Sequence, residues 1–309
     1  MHLPDGIVTE PAVLMGSGAV AVAGVTIAYL KCRQSLRERT VAIAGVTTAF
    51  IFALQMVNFP IGFGVSGHLM GGALAAILLG PWLGCLVVAL VVVPQCLLFN
   101  DGGLLSLGIN VTSMALVGAF VGGALSAALG KVLPRAAAWF LAAWGSLVVA
   151  SIVTGLAVMA GSEIGGGAFV KALIGFHLVI GVGEGLITVA VLGALAQLRP
   201  DLLTPAVQNG WRWQETLAGL ALAVVVVAAL SPFASGAPDG LEASLEHGVD
   251  QPLAEAAPNL PSPANDYLLL ESFTDETLAG ILAGLLGVLV CLVIAHAALR
   301  PAVPRVSAD

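Results

Sequence analysis

Residues 277–299 read TLAGILAGLLGVLVCLVIAHAAL, an unbroken apolar run that contains no Asp, Glu, Lys or Arg. A run of this length crosses the hydrocarbon core of a bilayer as one helix. A strand of a membrane barrel would alternate apolar and polar residues, and this run does not. Since only helices and closed barrels satisfy backbone groups in lipid, the reading is helical. The rest of the chain has the same texture. Of its 309 residues 59% are hydrophobic and 9% charged, and the mean hydropathy is +1.02. The expected fold is all-α: a polytopic membrane helix bundle with a seven-segment core and a two-helix C-terminal appendage.

Working back from that last segment, apolar runs fall at about 12–30, 41–57, 70–80, 82–99, 111–130, 137–160, 169–198 and 216–230. The run at 70–80 is too brief to span the hydrocarbon alone. It follows the glycine-rich linker 58–68 and stops at Pro81. An interrupted helix beside irregular backbone is tolerated only where protein or a cavity surrounds it, so this region points to a binding site. Lys31, Arg33, Arg37 and Arg39 form the densest basic cluster and place the first loop inside, hence the N-terminus outside. With that orientation ten of the eleven Lys and Arg fall inside, Lys171 excepted, and about thirteen acids fall outside. An acidic outer face raises the local concentration of a cation, although acids also populate outer loops by default. The stretch 231–276 has no basic residue and is rich in Pro, Ala, Ser and acid. It is expected to be an outer loop, partly disordered. Residues 201–215, with Trp211, Arg212 and Trp213, read as a cytoplasmic linker between a core (1–200) and a two-helix unit (216–309).

The N-terminus carries no basic region of a secretory signal, and Pro4, Asp5 and Glu10 sit within it. Its first six residues, Met1-His2-Leu3-Pro4-Asp5-Gly6, can chelate. The Met1 amine, the His2 backbone nitrogen and His2 Nδ1 close a five- and a six-membered ring around one ion. The three nitrogens lie in one plane with a fourth position open, which suits Ni(II) or Cu(II). Pro4-Asp5-Gly6 supplies turn chemistry that can bend the terminus inward. A frayed chain end is the alternative.

His68, in Ser66-Gly67-His68-Leu69-Met70, lies in the irregular linker among small neighbours and is the candidate fourth nitrogen. A packed, hydrogen-bonded histidine is the plainer reading. His177 and Glu184 stand two helical turns apart on one face. With Asn58 they are candidates for groups that orient a ligand imidazole; Glu184 could equally brace a glycine-weakened helix. The small-residue stripes Gly45/Ala49/Ala53, Gly118/Gly122 and Gly280/Gly284 permit close helix contacts. Cys32, Cys85, Cys96 and Cys291 have neither zinc-site nor disulfide-framework spacing. The sequence contains no phosphate-binding G-x-x-x-x-G-K-[ST] loop, so any ATP-driven work belongs to another chain.

Taken together, the start Met1–Gly6, the block Val57-Asn58-Phe59-Pro60-Ile61 with Ser66–Leu74, the run Leu79-Gly80-Pro81-Trp82, and Gly183-Glu184-Gly185-Leu186-Ile187-Thr188 resemble the CbiM/NikM family. These are the substrate-capture components of energy-coupling factor transporters for cobalt and nickel. Pro238-Asp239-Gly240-Leu241-Glu242 resembles the PDGLE segment of the small accessory subunit, CbiN/NikN. The resemblance implies a natural fusion of the two in the inner membrane of a prokaryote. It implies Ni2+ or Co2+ as cargo, held by Met1, His2 and His68, with no resident cofactor. The implied partners are a transmembrane coupling subunit (CbiQ/NikQ-like), cytoplasmic ATPases (CbiO/NikO-like) and the lipid bilayer, with no nucleic acid. Pro4-Asp5 is closer to the nickel branch. The chain is then a transporter subunit and not an enzyme. A self-sufficient secondary transporter or channel is the alternative, but it would need carboxylates along a path, and only Glu184 is available. A catalytic metal site would keep a position open for substrate, which a closed four-nitrogen plane does not.

Overall fold

The structure, a computed structural model, describes residues 1–164, 166–203, 213–248 and 276–300. Its core helices are α1 (Pro11–Cys32), α2 (Glu38–Gln55), α3 (Gly72–Leu79), α4 (Pro81–Pro94), α5 (Leu107–Asn110), α6 (Gly118–Leu129), α7 (Arg135–Gly161) and α8 (Gly166–Leu198). The C-terminal part adds α9 (Trp213–Leu230), α10 (Gly240–Gly248) and α11 (Glu276–Ala298). A short antiparallel hairpin, β1 (Phe59–Gly62) and β2 (Val65–Gly67), pairs Phe59 with Gly67 and Pro60 with Ser66. A π-helical turn extends α4 through Phe99, and another joins α5 to α6.

Among the described residues, seven helices are long and apolar enough to cross a membrane: α1, α4 with its extension, α5–α6, α7, α8, α9 and α11. The second run of the sequence is not one of them. As α2 it carries Glu38, Arg39 and Gln55 and packs against α4, α9 and α11, so protein rather than lipid surrounds most of it. Its enclosed residues include Thr47, Thr48 and Phe52. α4 is the most enclosed span, while α1 and α9 lie at the rim. Exposed apolar side chains such as Leu156, Leu186 and Leu222 clothe the perimeter.

α3 is the short, interrupted piece expected from the sequence, and it packs against α4, α6, α7 and α8. Small residues make that possible. A Cβ at Gly72 would stand 2.6 Å from the Gly118 carbonyl carbon, and one at Gly122 2.6 Å from Ala73 Cα. The Gly118/Gly122 stripe is therefore used within the chain, and Gly45 likewise faces Leu292 of α11.

The stretch 231–276, expected to be a partly disordered outer loop, holds an ordered helix in its first half. Residues 240–248 form α10, which packs on α8 and contributes Leu241 and Leu245 to an apolar cluster with Leu3, Ile7, Val8, Ile109 and Phe169. Those buried side chains order a segment whose overall composition is that of a loop. The remainder, 249–275, lies outside the described residues, as do Trp211 and Arg212. At the C-terminal end of α8, Asp201 receives Arg39 at 2.8 Å and Arg199 at 2.9 Å, and Arg199 lies 3.3 Å from Glu215. These pairs tie α2, α8 and α9 together.

Candidate metal centre

The chain end is not frayed. Met1 and Leu3 are buried, and His2 is 7% exposed. Three groups hold it. Asn110 clamps the Leu3 peptide, its Oδ1 accepting from Leu3 N at 2.8 Å and its Nδ2 donating to Leu3 O at 3.1 Å. Gly103 N donates to the same Leu3 carbonyl at 2.9 Å. Asp5 Oδ1 accepts from Ser106 N at 2.9 Å, and Ser106 Oγ donates to Pro4 O at 3.1 Å. The turn chemistry of Pro4-Asp5-Gly6 therefore operates, with Gly6 at φ 89°. Glycine is required at 103, because a Cβ there would collide with Asp5.

The clamp delivers the Met1 amine to His68, with Met1 N 2.6 Å from His68 Nε2. His68 Nδ1 lies 2.9 Å from Leu69 O. A carbonyl can only accept, so Nδ1 carries the proton and Nε2 turns a lone pair to the amine. Two nitrogens on adjacent corners of a planar site, each about 2.0 Å from the ion, stand about 2.8 Å apart. The observed spacing is close to that, so this pair can grip one ion. A cavity of ≈ 10 Å³, about the space of one water-sized sphere, lies beside them. Its polar lining is Met1, His68, His177 and Asp239, and Leu147 and Ile180 are among its apolar walls.

His2 also reaches the site. Its ring stacks on that of His68 with centroids 5.1 Å apart and planes at 17°. Its Nδ1 lies 2.9 Å from Asp101 Oδ1, and its buried Nε2 has no hydrogen-bond partner among the described residues.

Of the supporting candidates, Glu184 acts on the backbone and not on an imidazole. Its Oε2 accepts from Met70 N at 2.6 Å and its Oε1 from Gly71 N at 2.9 Å. It thus braces the turn that leads from His68 into α3, where Gly71 sits at φ 78°. His177 lines the cavity and donates from Nδ1 to Leu173 O at 2.7 Å. Asn58 is not brought to the cavity; its carbonyl accepts from Ser235 N at 2.9 Å.

Sequence reading did not assign Asp101, Asn110 or Asp239 to the site. Asp239 Oδ2 lies 2.5 Å from Met1 N and 3.7 Å from His68 Nε2. Burial pushes the Asp239 carboxyl pKa up, but the Met1 ammonium and His68 outweigh that and hold it well below the usual carboxylate range. Burial, then the Met1 ammonium, pushes His68 below the usual histidine value. Asp239-Gly-Leu-Glu242 is a capping box, and this signal is readable in sequence. It locates the start of α10 but not what the Asp239 side chain meets 238 positions away.

Residues 2–202 match the family described as cobalt uptake substrate-specific transmembrane region (CbiM), and residues 213–301 match the PDGLE domain. A relative from Archaeoglobus fulgidus, assigned as a fused nickel transport protein NikMN, is 35% identical over 310 residues, covering 97% of this chain and 98% of that protein. The fused nickel transport protein NikMN of Rhodobacter capsulatus is 28% identical over 224 residues, 66% of this chain and 64% of that one. A crystal structure of a truncated transition metal transporter superposes with a TM-score of 0.58 at 28% identity, covering 64% of this chain and 99% of that one. From the match over most of its length, this chain belongs to the CbiM family of metal-transport membrane proteins, with a PDGLE domain following its CbiM region.

Proposed function

We propose that this chain is the metal-capture component of an energy-coupling factor importer for Ni2+ or Co2+. The 2.6 Å approach of the Met1 amine to the His68 Nε2 lone pair carries this reading. The ion is held in a plane of four nitrogens: the Met1 amine, the His2 amide, His2 Nδ1 and His68 Nε2. To close the chelate, His2 Nδ1 turns from Asp101 to the ion, and the proton it donates to Asp101 passes to the other ring nitrogen, the unpartnered Nε2. The terminus faces the outer side, as the charge asymmetry of the loops supports. Residues 1–200 form the metal-binding unit, 201–215 its cytoplasmic connection and 216–309 the PDGLE unit.

Energy comes from separate chains, a transmembrane coupling subunit and cytoplasmic ATPases, because this sequence has no phosphate-binding loop. A self-sufficient transporter finds less support, since both oxygens of Glu184 are engaged by backbone N–H groups. Radioactive nickel and cobalt uptake, in cells with and without the coupling and ATPase subunits, tests the reading. Uptake that depends on those subunits supports it, and full uptake without them contradicts it.

A further inference from the structure

The PDGLE motif accounts for its own geometry. Asp239 caps α10: its Oδ1 accepts from Leu241 N at 2.8 Å and from Glu242 N at 2.9 Å. Glu242 Oε2 accepts in return from Asp239 N at 2.8 Å. One oxygen of Asp239 is thus committed to the helix, and the other, Oδ2, is left to face the Met1 amine at 2.5 Å.

The carboxylate is held there from both sides. Upstream, Ser235 N donates to Asn58 O at 2.9 Å, Ser66 N to Pro238 O at 2.9 Å, and Ser66 Oγ to Ala237 O at 2.7 Å. Downstream, Leu241 and Leu245 share an apolar cluster with Leu3. Gly240 sits close against α8: a Cβ there would press on Ile180 Cδ1 at 2.5 Å and on His177 Cε1 at 3.1 Å. Asp239 is 13% exposed. A charge so enclosed needs an opposite charge beside it, and here that charge is the Met1 ammonium.

Ligation by the Met1 amine removes that ammonium. Asp239 would then be enclosed without a partner, unless the ion in the cavity it lines takes the ammonium's place. We propose that Asp239 is the counter-charge of the metal centre, pairing with the chain-end ammonium before loading and with the dication after it. The PDGLE domain in this way contributes a charge to a site whose nitrogens all come from the CbiM region. The inference rests on the metal-capture reading above.

The test is titration of the purified full-length chain with Ni2+, comparing the unaltered protein with Asp239→Asn and Glu246→Gln. Asparagine caps helices as well as aspartate, so α10 stays seated, which protease protection of residues 235–248 checks independently. Glu246→Gln removes the same charge from an exposed position on the same helix. The expected result is affinity about tenfold or more weaker for Asp239→Asn, of the size seen when outer partners of metal ligands are lost, and unchanged for Glu246→Gln. If Asp239 merely competed with the ion for the amine, asparagine would tighten binding. Unchanged or tighter binding by Asp239→Asn therefore overturns the inference while metal capture stands. An unaltered chain that binds no Ni2+ or Co2+ overturns the metal-capture reading and this inference with it.

Discussion

Asn110 grips the Leu3 peptide at both ends, accepting from its N–H at 2.8 Å and donating to its carbonyl at 3.1 Å. Both groups are buried, and an unpaired buried polar group costs about 1–3 kcal/mol. Asn110→Ala is expected to lower the melting temperature and weaken nickel binding together. Asn110→Asp keeps the acceptor but sets a carboxylate oxygen against the Leu3 carbonyl, so it fares no better. Melting and metal titration in detergent check this. A wild-type affinity in Asn110→Ala would show that the clamp does not position the terminus.

Glu184 holds the His68 turn through two backbone N–H groups, and hydrogen bonds to an ionised acceptor are the stronger kind. Glutamine keeps one acceptor and turns its amide hydrogens on the other donor; alanine leaves both donors unmet. Stability and metal affinity are expected to fall in the order wild type, Glu184→Gln, Glu184→Ala. Equal melting of all three would contradict the bracing role.

Metal binding should weaken in acid, because ligation needs unprotonated nitrogens. Burial and the Met1 ammonium keep His68 neutral to lower pH than an ordinary histidine. Its own loss as a ligand therefore falls below the ordinary histidine value of about 6.5. Titrations between neutrality and about pH 5 should show affinity declining across that window. Constant affinity down to its lower end would count against the Met1 amine and the His2 amide as ligands, since both must release a proton to bind the ion.

The spans were legible because a lipid-facing helix writes its burial into composition, and the short α3 because an eleven-residue run between a glycine-rich linker and Pro81 cannot cross alone. α2 reads as a span for the same reason, and only its packing shows that α4, α9 and α11, rather than lipid, enclose most of it. The approach of Met1 and His2 to His68 could be expected from chelate chemistry and from the family resemblance. Asp101, Asn110 and Asp239 were not, because each reaches the terminus by long-range folding that no local spacing encodes. α10 was the nearest miss: its capping box was in plain view, but the acidic, proline-rich surroundings argued for a loop.

The N-terminal amine as a metal ligand is best tested by placing a single residue ahead of Met1. Nickel titration of the purified chain, with its native end and with this extension, is compared at equal melting temperature. Saturable binding of one ion per chain is expected for the native end, and its loss for the extended one. Equal binding by both would contradict it.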